Sequence, residues 1–182
     1  VPHRGARPHW PDTPRASSQA AIEAGAPALE VDVRMTADHH LVVMHDPLVD
    51  RTTTGHGMVH NLRFQHLRQL EIITAPDQRV PTVAEVLDLA AGRALVMLDL
   101  KSSGETYWQQ LAQLVNDHPQ RDQVILGVRS LEESHRLMTL MPGVSQLALT
   151  PKKRYVGDFI DAGVNIVRLW PKWLKKRPEL GE

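Results

Sequence analysis

The feature that most narrows the fold is a repeated change of hydrophobic period. Short runs rich in Val, Ile and Leu alternate with longer amphipathic stretches along most of the chain. That alternation is the pattern of β-α units feeding a parallel sheet. The runs read as strands over 28–33, 41–45, 94–100, 123–128, 146–149 and 165–169, with 1–3 as the end of another. They are nearly continuous in apolar character, so both faces of the sheet are expected to be buried, as in a closed or doubly wound parallel sheet. Helices are predicted over 15–24, 82–91, 105–116 and 130–141. Thr82 with Glu85 and Ser130 with Glu133 have the spacing of a capping box, while Gly25, Gly92 and Pro119 supply stops.

The segment 46–81 breaks this rhythm. It holds Pro47, Thr52, Thr53, Thr54, Gly55 and Gly57, with only weak helical patterning around 63–70. It reads as a long insertion after a strand, and long loops at strand C-terminal ends are where α/β folds place their sites.

At 182 residues the chain has room for one core, and a single domain is expected over 1–182. Lys plus Arg balance Asp plus Glu at 21 each, so no global field draws the chain to nucleic acid or to a membrane surface. From Thr150 onward eight cations face four anions, which reads as a solvated face in preference to an anionic-lipid patch. The absence of cysteine excludes disulfides, thiolate metal sites and a cysteine nucleophile. It leaves the compartment open between cytoplasmic and secreted or periplasmic. No run approaches the ~20 apolar residues of a membrane span. The first residue is Val, which fits removal of a leader or of upstream residues.

Polar and ionisable residues fall repeatedly at the C-terminal ends of the expected strands: His3 and Arg4, then Glu30 and Asp32, then His45 and Asp46, then Asp99 and Lys101. In a parallel barrel these tips converge on one rim. Taken singly each has an ordinary explanation as a surface cation or a hydrogen-bonded loop residue. Glu30 and Asp32 are harder to explain that way, because they are embedded in the apolar run Ala28-Leu29-Glu30-Val31-Asp32-Val33 and project from one face. Buried unpaired carboxylates cost several kcal/mol, and a cation removes that cost. Glu30, Asp32 and Asp99 together make a hard oxygen site suited to Mg²⁺ or Ca²⁺; zinc would prefer nitrogen or sulfur ligands. Arg4 and Lys101 add positive charge suited to a phosphodiester. His3 and His45 supply a base and an acid, a pair of roles contributing about 10²-fold to 10⁴-fold each. The inventory is that of a metal-assisted phosphodiesterase.

The same residues carry a family resemblance. His3-Arg4-Gly5, Gly25-Ala26 leading into Glu30-Val31-Asp32-Val33, and Val42-Val43-Met44-His45-Asp46 appear in order. Asp50-Arg51-Thr52-Thr53-Thr54-Gly55-His56-Gly57, Val80-Pro81-Thr82 and Leu98-Asp99-Leu100-Lys101 follow. From the first residue to about Leu149 the chain resembles the glycerophosphodiester phosphodiesterases. The resemblance implies a TIM-type (β/α)8 barrel of the phospholipase-C-like phosphodiesterase type. The implied reaction hydrolyses a small-molecule glycerophosphodiester to glycerol 3-phosphate and an alcohol with one divalent cation, Mg²⁺ or Ca²⁺. It also implies that Glu30, Asp32 and Asp99 hold the metal, that His3 and His45 do the acid/base work, and that Arg4 and Lys101 contact the phosphate. Direct attack by water and attack by the glycerol 2-hydroxyl both fit these residues.

The chain departs from the family pattern in three places. Asp99 stands where Glu is usual, about 1.5 Å shorter in reach. Pro11-Asp12-Thr13 replaces a Pro-Glu-Asn-Thr turn. Six or seven strands precede the C-terminus, so the barrel is expected to lack its last one or two strands. Two other readings compete. One is a lysophospholipase D or sphingomyelinase D-like activity, with Trp10, Trp108, Trp170 and Trp173 lining an acyl groove. The other is an inactive phosphate-binding relative. A nucleic-acid partner lacks both charge and motif, and Gly55 and Gly57 lack the Gly-Lys-Ser/Thr ending of a phosphate loop.

Overall fold

A computed structural model of the chain describes residues 14–150 and 152–174. Helix α1 (Pro14–Glu23) leads into strands β1 (Ala28–Met35) and β2 (Leu41–Val43), followed by α2 (Phe64–Gln69) and α3 (Val83–Ala90). Then β3 (Leu95–Leu100), α4 (Glu105–Asp117), β4 (Val124–Val128), α5 (Leu131–Leu140) and β5 (Ser145–Ala148) alternate. Helix α6 (Val156–Asp161), β6 (Ile166–Val167) and α7 (Pro171–Leu174) follow. The strands form one sheet in the order β2-β1-β3-β4-β5-β6. All neighbours from β1 to β6 are parallel, as the alternation of periods predicts. The strand expected over 1–3 lies outside the described residues.

β6 is shorter than the expected 165–169, and one strand also differs in direction. β2 is shorter than 41–45 and runs antiparallel to β1, pairing Val33 with Val43 and Met35 with Leu41. The reason is chain length: the few residues after Met35 make a hairpin turn, with His39 at φ 67° and Thr36 N donating to His40 O at 3.0 Å. A parallel return needs a crossover of a dozen or more residues.

Alternation along the strands separates two chemistries. Leu29, Val31, Val33, Val96, Leu98, Leu100, Val124, Leu126 and Val128 join one core with Val86 and Leu87 of α3, Leu111 and Val115 of α4, and Leu137 of α5. Glu30, Asp32, Asp99 and Lys101 fall at the intervening positions and therefore face away from the helices. The helices start where the sequence places them. Thr82 Oγ1 accepts from Glu85 N at 3.1 Å while Glu85 Oε2 accepts from Thr82 N at 2.8 Å, the reciprocal capping box. Ser130 Oγ accepts from Glu133 N at 3.1 Å, but the Glu133 carboxylate accepts from Arg129 N at 2.7 Å.

Tyr107, 1% exposed on α4, ties the core to the rim. Its hydroxyl donates to Val33 O at 3.0 Å, the carbonyl that also accepts from Lys101 N at 3.0 Å. Burial pushes the phenol far above its ordinary range, so it stays a donor. Tyr107→Phe removes one of two donors to that carbonyl. The expected cost is about 0.5–1.5 kcal/mol in denaturant unfolding, with the fold retained. A loss above about 3 kcal/mol would mean the hydroxyl holds more than this bond.

The insertion after β2 is a packed unit with its own small core of Val42, Met44, Val49, Val59, Leu67 and Val80. Asp38 Oδ1 accepts from Phe64 N at 2.8 Å and Ala37 N donates to Leu62 O at 2.9 Å, which stitches α2 to the β1-β2 turn. Within the Asp50–Gly57 run, Gly57 N donates to Asp50 Oδ2 at 2.9 Å. A Cβ on Gly55 would lie 2.5 Å from Leu70 Cδ1, so no larger residue fits there unless Leu70 moves.

Candidate active site

The parallel register sets Asp32 beside Asp99 and Glu30 beside Met97. Glu30, Asp32 and Asp99 therefore share the face turned from the helices. Each offers an oxygen within 4.8 Å of the others, and the three residues are 9%, 7% and 6% exposed. Gly127 of β4 is the register partner of Asp99. A Cβ there would meet Leu149 Cδ1 at 2.9 Å and Leu98 O at 3.1 Å, so a larger residue beside Asp99 would have to displace Leu149 and press on the β3 backbone.

Two cations address these acids. Lys101 Nζ lies 2.6 Å from Asp99 Oδ2 and 3.0 Å from Asp32 Oδ1. Burial alone would lower the Lys101 pKa, but the hydrogen bond to Asp99 and the negative charges of Asp99 and Asp32 outweigh it and hold the ammonium above its ordinary value. Arg129 binds Asp99 Oδ1 through Nη2 and donates from Nη1 to Leu100 O at 2.9 Å. Its backbone N is held by Glu133, whose carboxyl is pushed up chiefly by burial.

The donor set fits a hard dication. Three buried carboxylates stand against two cations, and both cations spend their shortest contacts on Asp99. Asp32 Oδ1 is buried and its approach to Lys101 is an ion pair not aligned as a hydrogen bond, which leaves acceptor capacity unsatisfied. Oxygen-only donors of this charge suit Mg²⁺ or Ca²⁺.

His45 follows β2. Met44 N donates to Asp32 O at 2.9 Å, so the residue before His45 is bonded to the backbone of a candidate metal ligand. Arg34 fixes the carbonyl of His45 itself, donating from Nε at 3.1 Å and Nη2 at 2.7 Å. The imidazole Nδ1 lies 2.7 Å from Asp46 Oδ1. The ionised carboxylate can only accept, so Nδ1 carries the hydrogen of this bond. Asp46 is in turn gripped by Arg51 Nε at 2.5 Å. That bond first, and the His45 bond second, hold the Asp46 carboxyl at about 2.

The depressed pKa has a definite sign. The ionised form is favoured in the fold, so its stabilisation is complete above the unfolded value near 3.8 and is lost as pH falls through about 2. Arg51 is 59% exposed, and solvent screening brings the expected size to about 1 kcal/mol. Asp46→Asn removes the anion that selects the Nδ1–H tautomer. The expected result is a fall in kcat of about 10²-fold or more with little change in KM, measured in steady-state assays. An unchanged kcat would discard the pairing as a functional one.

Of the residues the sequence nominates, Glu30, Asp32, Asp99 and Lys101 come together, and His45 is tied beside them through Met44 and Arg34. His3 and Arg4 lie outside the described residues, as do Trp10 and Pro11-Asp12-Thr13. Trp108 packs against the main core and Trp173 is 8% exposed, so neither is a free wall of an acyl groove. Sequence reasoning did not single out Arg34, Arg51 or Arg129. Arg129 had a readable signal, since it follows β4 as Lys101 follows β3. Arg51 had only its place in the Asp50-to-Gly57 run.

The profile of the glycerophosphoryl diester phosphodiesterase family matches residues 3–130. The chain belongs to that family. It is 32% identical over 136 residues to the glycerophosphodiester phosphodiesterase of Caldanaerobacter subterraneus, a match covering 70% of this chain and 56% of that protein. It is 30% identical over 128 residues to mouse glycerophosphodiester phosphodiesterase 1, covering 66% of this chain and 39% of that one. The chain thus spans about half the length of these curated relatives. Among solved structures, the glycerophosphodiester phosphodiesterase of Agrobacterium tumefaciens superposes with a TM-score of 0.81 at 24% identity, over 98% of this chain and 79% of that one. An Oleispira antarctica phosphodiesterase, solved with the product sn-glycerol-3-phosphate, gives 0.74 at 18% identity, over 91% and 72%. These likenesses show the fold, an α/β architecture of TIM-barrel type, and the parallel sheet from β1 to β6 is this family's strand framework within the chain.

Proposed function

We propose that the chain hydrolyses glycerophosphodiesters to glycerol 3-phosphate and an alcohol, using a divalent cation held by Glu30, Asp32 and Asp99. The observation that carries this reading is the convergence of three buried carboxylates within 4.8 Å beside Lys101, on the face turned from the helices. A bound Mg²⁺ or Ca²⁺ would supply charge neutralisation at the phosphoryl oxygens. Lys101 and Arg4 bind the phosphate by charge-assisted hydrogen bonds, and Lys101 is kept protonated by the acids it touches. His45, held in one tautomer by Asp46, moves a proton at Nε2, and His3 is its partner of opposite role. One imidazole takes the proton of the attacking hydroxyl as its oxygen bonds to phosphorus; attack by water gives glycerol 3-phosphate directly, and attack by the glycerol 2-hydroxyl gives a cyclic phosphate that a water then opens. The bond from phosphorus to the alcohol oxygen breaks, and the other imidazole protonates that oxygen.

The test is release of glycerol 3-phosphate from glycerophosphocholine by the chain with Mg²⁺ or Ca²⁺, run beside a chelator control and beside lysophosphatidylcholine. Turnover of the deacylated diester that stops in chelator supports the reading. Turnover of lysophosphatidylcholine alone would transfer the site to lysolipids, and binding without turnover would make the chain a phosphate-binding relative.

A further inference from the structure

The parallel registers, followed just past the strand ends, align Arg34 with Lys101, Lys101 with Arg129, Arg129 with Leu149 and Leu149 with Arg168. Backbone bonds continue that pairing: Lys101 N to Val33 O at 3.0 Å, Leu149 N to Val128 O at 2.8 Å and Arg168 N to Ala148 O at 3.0 Å. Four of the five positions in this row are cations. The row lies two residues beyond Asp32 and Asp99, a step of about 6.6 Å along the strands.

The four are not equivalent. Lys101 and Arg129 answer to carboxylates. Arg34 spends its donors on the carbonyls of His45 and Lys101. Arg168 is exposed and has no carboxylate partner among the described residues. Its guanidinium sits 4.3 Å from the ring centre of Trp170, and Trp170 Nε1 donates to Thr150 O at 3.3 Å. A planar cation stacked on an anchored ring loses little freedom when it grips an anion. Three strand spacings, about 14 Å of backbone separation, set Arg168 apart from Lys101. A phosphate held at Lys101 is therefore not the group that Arg168 would meet.

We propose that Arg168, stacked on Trp170 at the end of this cationic row, binds a second anionic group carried by the alcohol half of the substrate. The inference rests on the phosphodiesterase reading for the placement of the first phosphate. It assigns a substrate class: diesters whose leaving alcohol bears a further phosphate or carboxylate. Such a ligand runs along the row with one anion at Lys101 and the other at Arg168, and diesters of uncharged alcohols leave the far cation unused.

The test compares bis(glycerophospho)glycerol with glycerophosphoglycerol, which has the same reacting diester but an uncharged alcohol. Binding is read by titration calorimetry in chelator, and KM by hydrolysis with Mg²⁺ or Ca²⁺. The wild-type chain should bind the doubly anionic ligand about tenfold more tightly. Arg168→Ala should close that gap while leaving glycerophosphoglycerol binding within about twofold, and Arg168→Lys should restore part of it. Equal affinities in the wild type, or a gap that Arg168→Ala leaves intact, would overturn the proposal. A gap that depends on Arg168, with neither ligand turned over, would uphold this subsite and remove the hydrolytic reading instead.

Discussion

Asp32→Asn should lower the affinity of the chain for Mg²⁺ or Ca²⁺ by at least about 100-fold, since even outer-sphere partners of metal ligands cost 10-fold to 100-fold. The substitution keeps the shape of the side chain and removes one of three clustered negative charges, so a loss reports on charge and coordination and not on packing. Thermal unfolding reads the same event independently. A cation that binds only the folded chain raises its melting temperature by mass action. The wild type should therefore melt higher with Ca²⁺ or Mg²⁺ than in chelator, and the variant should melt at one temperature in both. Lys101 would keep its 2.6 Å bond to Asp99 in the variant, which argues against gross rearrangement. A variant that still titrates with wild-type affinity would make Asp32 a structural partner of Lys101 and nothing more.

His45→Ala should show the complementary pattern: kcat reduced by about 10²-fold to 10⁴-fold with the metal titration unchanged. The imidazole is committed to Asp46 through Nδ1 at 2.7 Å, and His45 is not among the residues whose ligand atoms cluster. Removing it takes away the group to which the proposed reaction gives a proton transfer and leaves the three carboxylates in place. Single-turnover rates separate this loss from slow product release, and the titration separates it from a lost cation. Near-normal turnover would strip His45 of its acid/base role, and a parallel loss of metal affinity would make it a ligand.

Much of the framework was legible because it depends on local period. The strands from β1 to β6 and the helices α1, α3, α4 and α5 fall within a few residues of where apolar spacing and caps place them. β2 shows what period alone misses. Leu41-Val42-Val43 looks like any parallel strand, and only the shortness of its link to Met35 dictates the hairpin. α6 was missed because six residues containing Gly157 are too few to sustain a recognisable helical period.

The candidate site was legible to the extent that its residues violate the strand pattern. Glu30, Asp32 and Asp99 stand out as acids inside apolar runs, and register does the rest. Arg34, Arg51 and Arg129 do not stand out, since a charged residue just past a strand or in a loop is ordinary. Their roles come from partners far along the chain: Arg34 on the His45 carbonyl, Arg51 on Asp46 and Arg129 on Asp99. The Asp50-to-Gly57 run was recognisable as a family signature but not as scaffolding. Its part in steadying His45 through Arg51 and Asp46 emerges only from the three-dimensional contacts.

Whether a divalent cation sits among Glu30, Asp32 and Asp99 can be seen directly. A crystal of the chain soaked in Mn²⁺, a hard ion with an anomalous signal, should give one strong difference peak in contact with oxygens of all three carboxylates. A peak at some other cluster, or a site where these acids bind only Lys101 and Arg129 at saturating Mn²⁺, would contradict the account.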